Sequence, residues 1–120
     1  MKTSFLQNAV VRRITAIVTN SDPDNVPLFE IPANCVVLGA SLSVSDAFNT
    51  GATLALGKVG AATHLLAAQA IDSVGVFNPD LAHPEHTTQP TTFTATISDK
   101  TAAGAVEISV LFSLDTDNKL

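Results

Sequence analysis

The feature that most constrains the fold is the stretch from residue 31 to residue 57, IPANCVVLGASLSVSDAFNTGATLALG. From Val36 onward every second residue is apolar: Val36, Leu38, Ala40, Leu42 and Val44. The residues between them after Val37 are Gly39, Ser41, Ser43 and Ser45, all small. Successive side chains of a strand point to opposite faces, so the pattern predicts one long strand with a dry face and a face of small groups. Asn49-Thr50-Gly51 offers a reversal, glycine taking the positive φ that other residues resist. Residues 53–57, TLALG, return as a shorter strand, and the pair reads as a long β-hairpin. A lone hairpin is marginal in water, so the remainder of the chain has to cover its apolar face.

The rest of the chain is patterned to do that. Residues 1–8 have no clear period and read as an N-terminal arm, with Phe5 and Leu6 as the candidate anchors to a partner. Residues 9–115 read as one domain and residues 116–120 as a polar C-terminal tail. Residues 9–19, AVVRRITAIVT, are rich in β-branched side chains and predict a first strand. Its drier set is Val10, Arg12, Ile14, Ala16 and Val18, which places that set inward and leaves Arg12 at the start of the pairing or reaching to the rim. Residues 20–27 form a turn-rich loop. Its Asp22, Asp24 and Asn25 lack the glycine and downstream glutamate that would complete a calcium loop of the EF-hand kind. A short strand at 28–31, with Phe29 and Ile31 on one side, ends at Pro32, where proline suits a corner.

Beyond the hairpin, residues 58–62 read as a link and residues 63–71 as irregular chain or strand. A short strand follows at 72–77. Residues 78–90 carry three of the six prolines and form the main loop. Residues 91–98 alternate Phe93, Ala95 and Ile97 against threonines, and residues 105–114 place Val106, Ile108, Val110, Phe112 and Leu114 in one phase. About eight strands with turns roughly every ten residues predict an all-β, antiparallel sandwich or barrel.

Composition bears on function more than on fold. Charged residues make up 14% of the chain, against roughly 25% in an ordinary soluble domain. A protein that dispenses with surface charge often hides surface against copies of itself or a partner. The net charge of −5 argues against nucleic acid and against an anionic membrane surface, both of which call for a basic patch. No apolar run approaches the roughly 18 residues that span a bilayer. Gln7, Asn8, Arg12 and Arg13 interrupt any signal-peptide core, so the chain reads as retained or assembled in the cytoplasm. The single cysteine, Cys35, precludes an internal disulfide and reads as a small buried hydrophobe.

Candidate chemistry is sparse. His83, Glu85 and His86 are metal-ligand types in one short run, and three such groups can hold zinc with an open position. Pro84 stiffens the run, however, and nothing sets the rings to converge, so solvated loop residues are the preferred reading. One histidine per subunit around a three-fold axis is the other arrangement open to a metal. His64, in an apolar stretch, reads as a hydrogen-bonded core or rim histidine. No serine sits in a Gly-x-Ser-x-Gly elbow, and no glycine loop cradles phosphate. Trp and Tyr are absent, which counts against sugar stacking and against small hot-spot interfaces, and favours a broad aliphatic one. The chain reads as a non-enzyme without a cofactor.

Residues 29–57 resemble a pattern found in small structural proteins of tailed bacteriophages. The shared pieces are the Ile31-Pro32-Ala33 corner, the long alternating strand, the Ala47-Phe48 pair before a turn, and Gly51-Ala52-Thr53-Leu54 leading to Leu56-Gly57. Leu65-Leu66-Ala67-Ala68, Val74-Gly75-Val76-Phe77, the strand at 91–97 and the Ala102-Ala103-Gly104-Ala105 turn continue the likeness. It covers most of the chain after residue 28, except the 83–90 loop, and it carries no catalytic residue. The resemblance implies a jelly-roll or related β-sandwich. It further implies a capsid decoration (cement) protein, a homotrimer bound to the major capsid protein at the virion surface after assembly in the bacterial cytoplasm. A tail, baseplate or fibre-attachment component is the second expectation, and a carbohydrate- or ligand-binding sandwich module the third.

Overall fold

The computed structural model describes residues 9–23, 26–81, 85–98 and 103–115. These contain nine strands and no helix: β1 (Ala9–Thr19), β2 (Val26–Ile31), β3 (Cys35–Asp46), β4 (Thr53–Lys58), β5 (Ala61–Ala70), β6 (Gly75–Phe77), β7 (Glu85–His86), β8 (Thr91–Ile97) and β9 (Ala105–Asp115). They form two antiparallel sheets. One runs β1-β9-β3-β6 with β7 also on β3; the other runs β2-β8-β4-β5. Setting the two-residue β7 aside, the pairing is outermost with outermost: β1 with β9, β2 with β8, β3 with β6, β4 with β5. The contacts β3–β9 and β4–β8 then close the rolled ribbon. This is the strand order of an eight-stranded jelly roll. Of the all-β sandwich or barrel read from the spacing of strands and turns, the sandwich is the observed fold.

The two sheets bury one core between them. Leu42, Val44, Val106, Ile108 and Val110 come from the first sheet, and Ile31, Leu54, Leu56, Phe93 and Ile97 from the second, each less than 5% exposed. Each such side chain contributes roughly 1.5–3 kcal/mol relative to exposure. Phe29 and Phe93 pair across β2 and β8 with ring centres 6.2 Å apart, a separation at which aromatic rings attract beyond simple burial. In β1, Ile14 and Ala16 are half-buried and Val18 is buried, as the drier phase predicts. Arg12 shares that phase but is exposed, opposite Phe112 on β9.

Two expectations are corrected. First, β3 and β4 do not form a hairpin; they belong to opposite sheets. Both strands are dry on one side, and facing each other across the core buries both sides where lateral pairing would leave them open. Residues 47–52 make the crossing. Phe48 is buried there, its N–H donates to the Ile71 carbonyl at 3.2 Å, and the Ile71 N–H donates to the Ala52 carbonyl at 3.1 Å. The crossing after β3 is thereby stitched to the one after β5. Gly51, at φ 84°, supplies the reversal.

Second, the dry face of β3 changes phase. Val37 is opposite Phe112 and Gly39 opposite Leu111, so Leu38 is an extra residue, a β-bulge. Before the bulge Cys35 and Val37 face the core; after it Leu42 and Val44 do. Leu38 is 52% exposed and Val36 only half-buried. Residues 61–70, part of the segment read as link and as irregular chain or strand, are the strand β5. Its register against β4 slips twice, which lets the consecutive Leu65 and Leu66 both be buried.

Candidate interaction surface

The segment between β6 and β8 is held to the start of β3 by the β7 pairing and by Thr87. Thr87 is 1% exposed. Its hydroxyl accepts from the Cys35 N–H at 2.9 Å and donates to the Pro32 carbonyl at 2.6 Å. Its backbone accepts from Asn34 N–H at 2.6 Å and donates to the Cys35 carbonyl at 2.8 Å. Asn34 sits in the left-handed region at φ 64°, a conformation that asparagine tolerates better than most residues. A loop threonine thus holds the corner that launches β3. Cys35 lies buried beside it, and that burial pushes the thiol above its ordinary pKa, the Thr87 hydrogen bond acting the other way.

The outer face of the first sheet is broad and nearly free of charge. Register places Arg13, Leu111 and Gly39 in one cross-strand row, and Thr15, Ser109 and Ser41 in the next. The row after that holds Ile17, Glu107, Ser43 and Val76. Ile17 is 67% and Val76 66% exposed. A hollow of about 330 Å³ lies over Gly39, Ala40 and Ser41, bounded by Arg13, Asn78 and Leu111. Small side chains with scattered aliphatic ones make a surface that can be covered at low desolvation cost, since few ions need be stripped of water. The alternation in residues 36–45 announces the serines of this face. The exposed Leu38 was not foreseen, although an isolated Gly39 within a strand pattern is a known cue for a bulge.

Among the described residues, those singled out for chemistry are not assembled into a site. Glu85 and His86 form β7, paired with Val37 and Val36, and His86 is exposed. His83 and the anchor candidates Phe5 and Leu6 lie outside the described residues, as do the arm at 1–8 and the tail at 116–120. Among the described residues no three metal-ligating side chains come together. His64 is half-buried on β5. Asp22 is engaged in its own turn, accepting the Thr19 N–H at 2.8 Å, and Asp24 and Asn25 lie outside the described residues.

No family model matches the sequence, and no curated protein matches it. Solved structures do match the fold. A chain of the acidic stable capsid structure of Helicobacter pylori bacteriophage KHP30 superposes with a TM-score of 0.72 at 14% identity, covering 89% of this chain and 90% of that one. A chain of the capsid asymmetric unit of cyanophage Pam1 gives a TM-score of 0.61 at 20% identity, over 89% and 86% of the two chains. A chain of the capsid of Ralstonia phage GP4 gives 0.62 at 13% identity, over 91% and 86%. At these identities the likeness is one of fold, and the fold of this chain is the one those three capsid chains share.

Proposed function

We propose that this chain is a non-enzymatic structural protein of a phage particle, a decoration protein that seats on the assembled capsid as a homotrimer and stabilises the shell. The observation that carries the reading is the match along nearly the whole of both chains to three chains from phage capsids. The charge-poor outer face supports it, since a surface of serines, threonines and aliphatics suits a permanent contact better than exposure. The mechanism is mechanical. A rigid sandwich lies across seams between coat subunits, and because it binds the assembled state alone, its binding free energy adds to that state's stability. The major capsid protein is the partner, and the work involves no cofactor.

Sedimentation equilibrium of the purified protein tests the oligomer: the expected mass is three times the chain's 12.4 kDa. Co-sedimentation with empty shells of the phage tests the function. Binding that saturates at a fixed ratio to coat subunits is expected, and a protein that stays in the supernatant would end the reading. Electron cryo-microscopy of the particle separates head from tail by position.

A further inference from the structure

We propose that the free edge of β1 accepts an extended segment of a different polypeptide, one that carries two consecutive acidic residues. An unpaired strand edge is a template for another strand, and proteins blunt such edges with prolines, bulges, brevity or charge. Three of the four edges here are blunted by shape. β2 carries Pro27 and a bulge, β6 and β7 are three and two residues long, and β5 slips register twice. β1 is different. It is eleven residues long, its register with β9 is unbroken, and among the described residues no strand lies on its other side.

What β1 has instead is Arg12 and Arg13, the one adjacent pair of cationic residues in a chain of net charge −5. Both are exposed, and among the described residues neither guanidinium group has a hydrogen-bond or ion-pair partner. Consecutive strand residues project to opposite faces, so the two guanidinium groups flank the edge above and below. This arrangement selects its occupant. Antiparallel pairing of two copies of β1 about Ile14 would set the two Arg13 residues diagonally, about 7–8 Å apart, where like charges repel. An incoming strand with neighbouring carboxylates meets one arginine on each face. Val11 and Ile17, 56% and 67% exposed on the Arg13 face, ask for apolar residues opposite them. For an antiparallel segment the motif is apolar-x-x-x-acid-acid-apolar, running from opposite Ile17 to opposite Val11. No two carboxylate residues are adjacent anywhere in this chain, so the occupant is another polypeptide and not a second copy. The mode is strand addition, with main-chain hydrogen bonds for affinity and the charge pair for selection. The inference rests on the capsid reading only for which polypeptide supplies the strand.

The test uses the full-length protein and a synthetic peptide, Thr-Thr-Ile-Thr-Thr-Thr-Glu-Glu-Val-Thr-Thr, with binding followed by nitrogen-15 NMR. The expected result is shifts and slowed amide exchange confined to β1. Binding weakens about tenfold or more in the R12E/R13E double variant, which instead prefers a Lys-Lys version of the peptide. A peptide N-methylated throughout does not bind. Absence of shifts at millimolar peptide, or affinity that survives charge reversal or N-methylation, overturns the proposal. So does a change in the protein's own oligomeric mass in the double variant without peptide binding, which would give the edge to a second copy. Because both arginines are exposed, unchanged thermal melting serves as the control for folding. Co-sedimentation with shells separates the two readings. If the wild type fails to bind shells yet takes the peptide, the capsid reading falls and this one stands. If wild type and double variant bind shells equally, and the peptide is ignored, the reverse holds.

Discussion

Thr87 shows how much of a fold can hang on one hydroxyl. It receives the Cys35 N–H in a buried setting and satisfies the Pro32 carbonyl in a partly buried one. Replacing it with valine keeps the volume and orphans both groups, so Thr87→Val is expected to cost about 2 kcal/mol in urea denaturation. An unchanged midpoint would show that the corner holds itself. Cys35 carries a second prediction. Its thiol is raised by burial, so in the interval between the unfolded and the folded pKa the unfolded chain has lost a proton that the folded one retains. The thiol's contribution to stability is therefore fully present below the unfolded value, about 8.5, and is lost as pH rises through the folded one. The denaturation midpoint should fall through that alkaline range, and Cys35→Ala should remove that part of the slope whatever it does to stability at neutral pH. A slope identical in both proteins would contradict the assignment.

Among the elements, the β4–β5 turn is the tightest. A Cβ on Gly57 would run into the backbone of Ala61 and Ala62, and backbone does not yield as a flexible side chain does. Gly57→Ala is therefore expected to destabilise by about 1–3 kcal/mol, read as a lower thermal midpoint, whereas substitution of the exposed Val59 in the same turn should leave it unchanged. Strand positions were legible from the period-two alternation, which follows from local backbone geometry and holds in β9 from Val106 to Phe112; in β8 Phe93, Ala95 and Ile97 are buried in phase, but Thr94 between them is buried as well. What defeated the pattern was the bulge. One inserted residue, Leu38, moves the core-facing set of β3 from odd-numbered positions before it to even-numbered positions after it. The long β3–β4 hairpin failed for a related reason: two strands joined by a turn look the same in sequence whether they share a sheet or face one another.

For the molecule as a whole, both sheets draw on a single core, so unfolding should be one cooperative transition, with the edge strands lost together with the centre. On the capsid reading, that transition moves upward when shells are present, by an amount that grows with the concentration of free shell sites. Calorimetry of the protein with and without shells measures it, and an unmoved midpoint counts against stabilising attachment. The paucity of ionised groups belongs to this scale as well. It was visible in composition, but only the register gathers Thr15, Ser41, Ser43, Ser109 and the exposed Ile17 and Val76 onto one outer face.

The order of residues by itself settled the all-β class and the place of most of the described strands, because alternation, β-branching and turn chemistry are local. It settled too that Cys35 goes inside. Tertiary structure alone decided which strands are neighbours, since jelly-roll pairing joins β1 to β9 and β2 to β8 across most of the chain's length. It also decided the place of Thr87, whose partners lie more than fifty residues away, and that among the described residues β1 is the end strand of its sheet. Such long-range choices depend on which arrangement buries both dry faces at once, a property of the assembled sandwich that no single segment carries.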